Sequence, residues 1–173
     1  MSHTGRKITK TDMLAAYQVF GGIFGLAITI YLVTGIRQFN ILLIGILLIA
    51  IVLYIFSLRC GILLFRNLKK GLNLSRINLL LQVFGCSIGG FAFRYVSGFD
   101  ISITLDLTDS FKLAFNAGPS SWHMLINGDP SQSYISINMV AILLIIFIEK
   151  QLRMLKEEDE AATYEIEGDA VQH

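Results

Sequence analysis

The chain has 173 residues, 54% of them hydrophobic and 16% charged, with a formal net charge of +1 and two cysteines. This is too apolar for an ordinary soluble domain, and neither a nucleic-acid partner nor a cofactor is expected. The charges are segregated, so the balance of +1 matters less than where they lie.

Four apolar runs, at 13–36, 41–58, 77–96 and 134–148, approach the roughly 20 helical residues needed to cross a bilayer. They predict an all-α membrane protein, a four-transmembrane-helix bundle. Basic residues cluster before the first run (Arg6, Lys7, Lys10), between the second and third (Arg59, Arg66, Lys69, Lys70, Arg76), and after the fourth (Lys150, Arg153, Lys156). Positive charge near membrane ends stays cytoplasmic. The expectation is a multi-pass protein of the plasma (inner) membrane with both termini inside. Its segments would be a cytoplasmic N-terminus (1–12), helices 1–3 (13–96) with a basic cytoplasmic loop (59–76), an outer β-loop (97–133), a fourth helix with its extension (134–156) and an acidic disordered tail (157–173).

In the first run, Gln18, Gly21 or Gly22, Gly25 and Thr29 recur at helical spacing and form one stripe. Small residues on such a stripe let a neighbouring backbone approach, and a polar one can bond across. The second run is rich in Leu and Ile and reads as a lipid-facing helix, continued by a segment that leaves the membrane or lies along its inner surface. The third carries Asn78, Gln82, Gly85 and Gly89 in a similar stripe. The two stripes are helix-packing seams, or the lining of a polar pathway. Gln18-Val-Phe-Gly and Gln82-Val-Phe-Gly repeat 64 positions apart, which suggests duplication of a two-helix unit with helices one and three facing each other. Cys60 and Cys86 fall inside apolar segments and read as packing residues.

The outer loop alternates. Ile101, Ile103, Leu105 and Leu107 interleave with polar residues, and Phe111, Leu113 and Phe115 follow a turn at Asp109-Ser110. Gly118-Pro119-Ser120 reads as a second turn and Asn127-Gly128 as a hairpin turn. The expectation is a small antiparallel meander of three or four strands. Its apolar face would cap the helices or the headgroups, or would bind a partner through Phe111, Phe115 and Trp122. The tail beyond Glu157 lacks Lys and Arg and is predicted to be solvated.

Chemistry finds little foothold. None of the runs contains Asp, Glu, Lys or His, which ion-coupled transport usually uses. His123 with Asp106, Asp109 or Asp129 matches no metal-ligand spacing, and Ser120, His123 and Asp129 lack a nucleophile elbow. The reading is a non-enzymatic accessory or assembly subunit that binds another membrane protein, or a second copy, through its β-loop and helix seams. The lipid bilayer is its other partner. The alternative is an oligomeric channel or small-molecule transporter lined by Gln18, Thr29, Asn78 and Gln82.

Overall fold

A computed structural model describes residues 9–38, 40–108 and 110–171, with side chains through Ala161. The elements are α1 (Lys10–Thr34), α2 (Ile41–Arg66), α3 (Leu68–Val83), β1 (Phe84–Ile88), β2 (Phe91–Asp106), β3 (Lys112–Leu125), β4 (Tyr134–Asn138) and α4 (Met139–Val171). Arg6 and Lys7 lie outside the described residues, as does Asp109 of the expected turn.

The four-transmembrane-helix bundle is overturned. Four helices share the fold with a four-stranded antiparallel sheet, and among the described residues only α1 and α2 are long and apolar enough to cross a membrane. The third run breaks after Val83 because its remainder alternates with period two: Phe84, Cys86 and Ile88, then Phe91, Phe93 and Tyr95. Between those strands Gly89 and Gly90 sit at φ +60° and +85°, the left-handed pair a two-residue hairpin demands. The fourth run divides the same way. Tyr134-Ile-Ser-Ile-Asn forms β4, which leaves too short an apolar stretch in α4 for a crossing.

The helices start on caps. Thr9 and Asp12 form a reciprocal capping box at α1, with N–H to oxygen distances of 2.9 and 3.2 Å. Asn40, Asn67 and Asn138 each accept an amide N–H three residues on, at 2.7, 3.0 and 3.2 Å, and so open α2, α3 and α4. The predicted basic loop 59–76 is the end of α2 and the start of α3. The acidic tail continues α4 to Val171, and Asp159 pairs with Lys69 at 2.7 Å.

α1, α2, α3 and α4 pack in chain order. Leu14, Ala15, Leu64, Leu72, Leu79, Val83, Ala141 and Ile148 form the buried cluster at the end where α1 begins. Beyond this cluster the sheet packs against α1, mainly through β2.

β1 pairs with the start of β2 (86–88 against 91–93), β4 pairs with its end (102–106), and β1 pairs with β4. These pairings close a three-strand ring. β3 runs along the other side of β2 and has no second neighbour among the described residues. Gly118-Pro119-Ser120 is no turn: Pro119 lies opposite Phe99, beside the bulge of β2, where a missing N–H breaks no ladder. Asn127-Gly128 is no hairpin turn, because β3 and β4 do not pair: Asn127 bends the chain at φ +61° and Gly128 N–H bonds to Gly90 O at 2.8 Å.

The far end of the sheet is inverted relative to a water-soluble one, whereas Ala92, Tyr95 and Val96 in the first half of β2 are buried. Residues opposite each other on neighbouring strands share a face. Ile103 stands opposite Phe115 and Ile137, and Leu105 opposite Leu113 and Ile135, on the outer face. Ser102 stands opposite Asn138, and Thr104 opposite Ser136, on the inner face. Ser102, Ser136 and Asn138 are buried, whereas Leu113 is 65% exposed and Phe115 77%.

Candidate functional site

The β2 bulge, Ser97-Gly98-Phe99, sits in a seat built by every layer of the molecule. A bulge frees backbone N–H groups from the ladder, and buried ones must be satisfied elsewhere. Here side chains take all three. Ser97 N–H donates to Gln82 Oε1 of α3 at 2.8 Å, Gly98 N–H to Ser120 Oγ of β3 at 2.7 Å, and Phe99 N–H to the Tyr17 hydroxyl of α1 at 3.1 Å. Tyr17 also donates to Phe99 O at 2.8 Å. Gly98 adopts φ +117°, and a Cβ there would strike the Tyr17 ring. Gly21 lies against the same backbone, so glycine is needed on both sides of the crossing.

Below the bulge runs a buried polar spine. Ser57 Oγ of α2 donates to Gln18 O at 3.2 Å and accepts from Asn78 Nδ2 at 3.2 Å and Ser97 Oγ at 2.8 Å. Its donor and both lone pairs are thereby used. Ser75 donates to Gln18 Oε1 at 3.3 Å, and Gln82 Nε2 to Asn78 O at 3.2 Å. The Tyr95 hydroxyl lies 2.9 Å from Leu53 O and 3.2 Å from Asn78 Oδ1. Its ring packs on Tyr54 at 5.5 Å between centroids. Gln18 Nε2 finds no partner among the described residues.

The structure brings Gln18, Asn78 and Gln82 together in one buried polar group. Gly21 faces the bulge, and Gly25 makes room for the Tyr54 ring of α2. Gly85 lies in β1 against the aliphatic part of Arg94, and Gly89 lies in the β1–β2 turn, so neither belongs to a helix seam. The repeated Gln-Val-Phe-Gly is helical in α1 but spans a helix–strand junction at Val83–Phe84, which removes the structural basis for a duplicated helix pair. Ser57, Tyr54, Tyr95 and Ser97 escaped sequence reasoning. Tyr54, Ser57 and Tyr95 sit inside apolar runs and Ser97 just past one, and their only signal is position.

Inside the ring, Arg94 pairs with Asp100 and donates to Ser102 Oγ at 2.8 Å, spanning the stretch of β2 between its β1-paired and β4-paired ends. Asp100 Oδ1 and Asn138 Nδ2 are buried without a partner among the described residues. The rim is more ordinary. Ser131, through its hydroxyl and then its N–H, holds the Asp129 carboxyl below the usual range, and Thr108 does the same for Asp106. Burial raises the Tyr134 hydroxyl.

Phe111 and Phe115 stand exposed on the hairpin, while Trp122 is half-buried opposite Tyr95. His123 is exposed opposite Arg94, and no group of three or more metal-binding side chains gathers among the described residues. Cys60 is buried and free. Comparison with protein-family models, curated proteins and solved structures returns no match for this chain.

Proposed function

We propose that the protein is a non-enzymatic, membrane-embedded assembly subunit whose β2–β3 hairpin receives a partner protein. The inverted end of the sheet carries this reading. Around Leu113 and Phe115 its apolar side chains point away from the molecule, and the long β3 edge leaves main-chain N–H and C=O groups without a ladder. An apolar surface with an open edge suits neither water nor lipid. In water it invites pairing, and in hydrocarbon each unpaired group costs several kcal/mol. A partner strand laid on β3 with an apolar face over Leu113 and Phe115 resolves both.

Membrane insertion is supported by α2. Only 17% of its most apolar stretch is buried, whereas a core helix of a soluble protein would be mostly buried. Two crossings, by α1 and α2, bring Lys10, Arg66, Lys69 and Arg153 to one end of the molecule, and that end is assigned to the cytoplasm of the plasma membrane. A conducting pathway gains no support, because Asn78 and Gln82 spend their polar groups on neighbours.

The test is photo-crosslinking in intact cells, with a photoreactive amino acid at the position of Phe115 or, as a lipid-facing control, Ile30. A discrete protein adduct at 115 and none at 30 is expected. An alkali-resistant, correctly folded membrane protein that gives no protein adduct at 115 sinks the partner reading. Release by alkali sinks the membrane reading.

A further inference from the structure

We propose that the ring of β1, β4 and the second half of β2 is sunk in the outer half of the bilayer, where its outward face takes the acyl chains of that leaflet as its partner. This rests on the membrane reading of α1 and α2 but not on the partner reading of β3.

Strand direction sets the shape. β4 runs antiparallel to β1 and to residues 102–106 of β2, while β1 runs antiparallel to residues 91–93. The two halves of β2 therefore run in opposite directions, and the strand folds back on itself at the Ser97–Phe99 bulge. The strand ends away from the bulge gather at one rim. Their loops are bonded together there, Gly128 N–H to Gly90 O and Leu107 N–H to Ser133 O, both at 2.8 Å. Asp106, Lys112 and Asp129 lie at that rim.

Depth follows from the helices. Near the middle of α1, Gly21 lies against Gly98, and near the middle of α2, Leu53 O lies 2.9 Å from the Tyr95 hydroxyl. The fold of β2 thus meets both spans halfway. α3 starts beside Arg66, at the cytoplasmic end, so the ring that follows Val83 extends toward the outside. From Asn138 to Tyr134, β4 covers about 14 Å at 3.4 Å per residue, close to the roughly 15 Å of one leaflet's hydrocarbon.

Face chemistry selects the occupant. Phe84, Ile137 and Ile103 form one outward row across the three strands, and Ile88 stands opposite Phe91 on the same face. Phe84, Ile88, Phe91 and Ile135 are exposed. The matching inner row is Gly85, Ser136 and Thr104, and Arg94 and Asp100 are paired within. Apolar outside and polar inside is the alternation of strands that face lipid, and a charge at that depth needs its partner. β1 and β4 each have a neighbour on both edges, so hydrocarbon leaves none of their ladders open. The ring is closed, so this face wraps around it. Fluid chains follow such a convex surface, where a single partner element reaches only one side.

Trp122 is the chain's one tryptophan, so Trp122→Phe gives a silent background for fluorescence in phosphatidylcholine vesicles. Two quenchers are compared, chain-brominated phosphatidylcholine and aqueous iodide. Phe84→Trp and Ile135→Trp are expected to lose as much emission to brominated lipid as Val52→Trp on α2, and none to iodide. Ile101→Trp, on the same face, replaces either variant that does not fold. Quenching of Ile135→Trp by iodide overturns the proposal, because the ring then stands in water. Resistance of the ring positions to both quenchers overturns it as well, because protein then covers the face. In both cases Val52→Trp still yields to brominated lipid. If Val52→Trp itself resists that lipid, the membrane reading has failed and this proposal falls with it.

Discussion

The hydroxyls of Ser57 on α2 and Ser97 on β2 meet at 2.8 Å, joining a helix apolar enough to cross a membrane to the bulge of a sheet. This contact and its neighbours make the two layers one body. Ser57→Ala strips an acceptor from both Asn78 and Ser97. It is expected to cost about 1–3 kcal/mol, the range for leaving buried polar groups unpaired. In detergent this lowers the melting temperature by roughly 2–4 °C per kcal/mol, whereas Ser121→Ala, on an exposed site, leaves it unchanged.

Gly25 and Tyr54 test the helix crossing. A Cβ at Gly25 overlaps the Tyr54 ring, so Gly25→Ala destabilises the protein even though alanine favours helix. Combining it with Tyr54→Leu is expected to recover part of the loss. A double-mutant cycle checks this, with a coupling of about 0.5–3 kcal/mol, and additivity within error would refute the contact.

Arg94 and Asp100 hold the middle of the ring. Asp100 has 3% of its side chain exposed and Arg94 24%, so removing one partner strands the other in a poorly solvated place. Arg94→Met and Asp100→Asn are each expected to cost about 3 kcal/mol in chemical denaturation. The double replacement should cost less than their sum, because no unpaired charge remains.

Val52 separates membrane from water. It lies near the centre of α2 and is 63% exposed. On a soluble protein Val52→Asp would be nearly neutral. At the centre of a membrane helix it costs roughly 2.5–3.5 kcal/mol. A glycosylation-mapping insertion assay is expected to show the parent segment inserted and the variant impaired, and failure of the parent segment to insert would remove α2 as a span.

Acid should loosen the rim before the core. Asp106 and Asp129 are held below their ordinary value of 3.8 by bonds to Thr108 and Ser131. A lowered native value means that this contribution is fully present above the ordinary range. It is lost as pH falls through the native values. Amide exchange at Thr108 and Ser131 is expected to accelerate there, ahead of exchange at Ser97.

What was legible in the chain depended on period and context. α1 and α2 declare themselves by length and hydropathy, and the alternation at 101–105 and 113–115 signalled strands, but not the meander expected of the outer loop, since β1 and β4 come from the third and fourth runs. The third run misled because summed hydropathy weighs Phe84, Phe91 and Tyr95 as it would in a helix. Gly89-Gly90 between two alternating segments carried the contrary signal. Asn78 and Gln82 were recognisable as polar residues among apolar ones. Their partners Ser57 and Ser97 were not, since small hydroxyls occur on lipid-facing and buried faces alike. Arg94 falls near the end of the third apolar run, which the sequence alone reads as a helix. Its true neighbour, Asp100, follows only once β2 is known to span the gap between β1 and β4.

Because Phe84 in β1 lies opposite Ile137 in β4, the chain leaves α3 and returns to α4 at a single point. Everything from Gly89 to Ser133 is a detour whose two ends are tied together beneath it. The β3 strand from Lys112 through Ala117, which lies outside the three-strand ring, can change its side chains without altering how α3 meets α4. Selection for a new binding surface could act there while the helical frame is inherited intact.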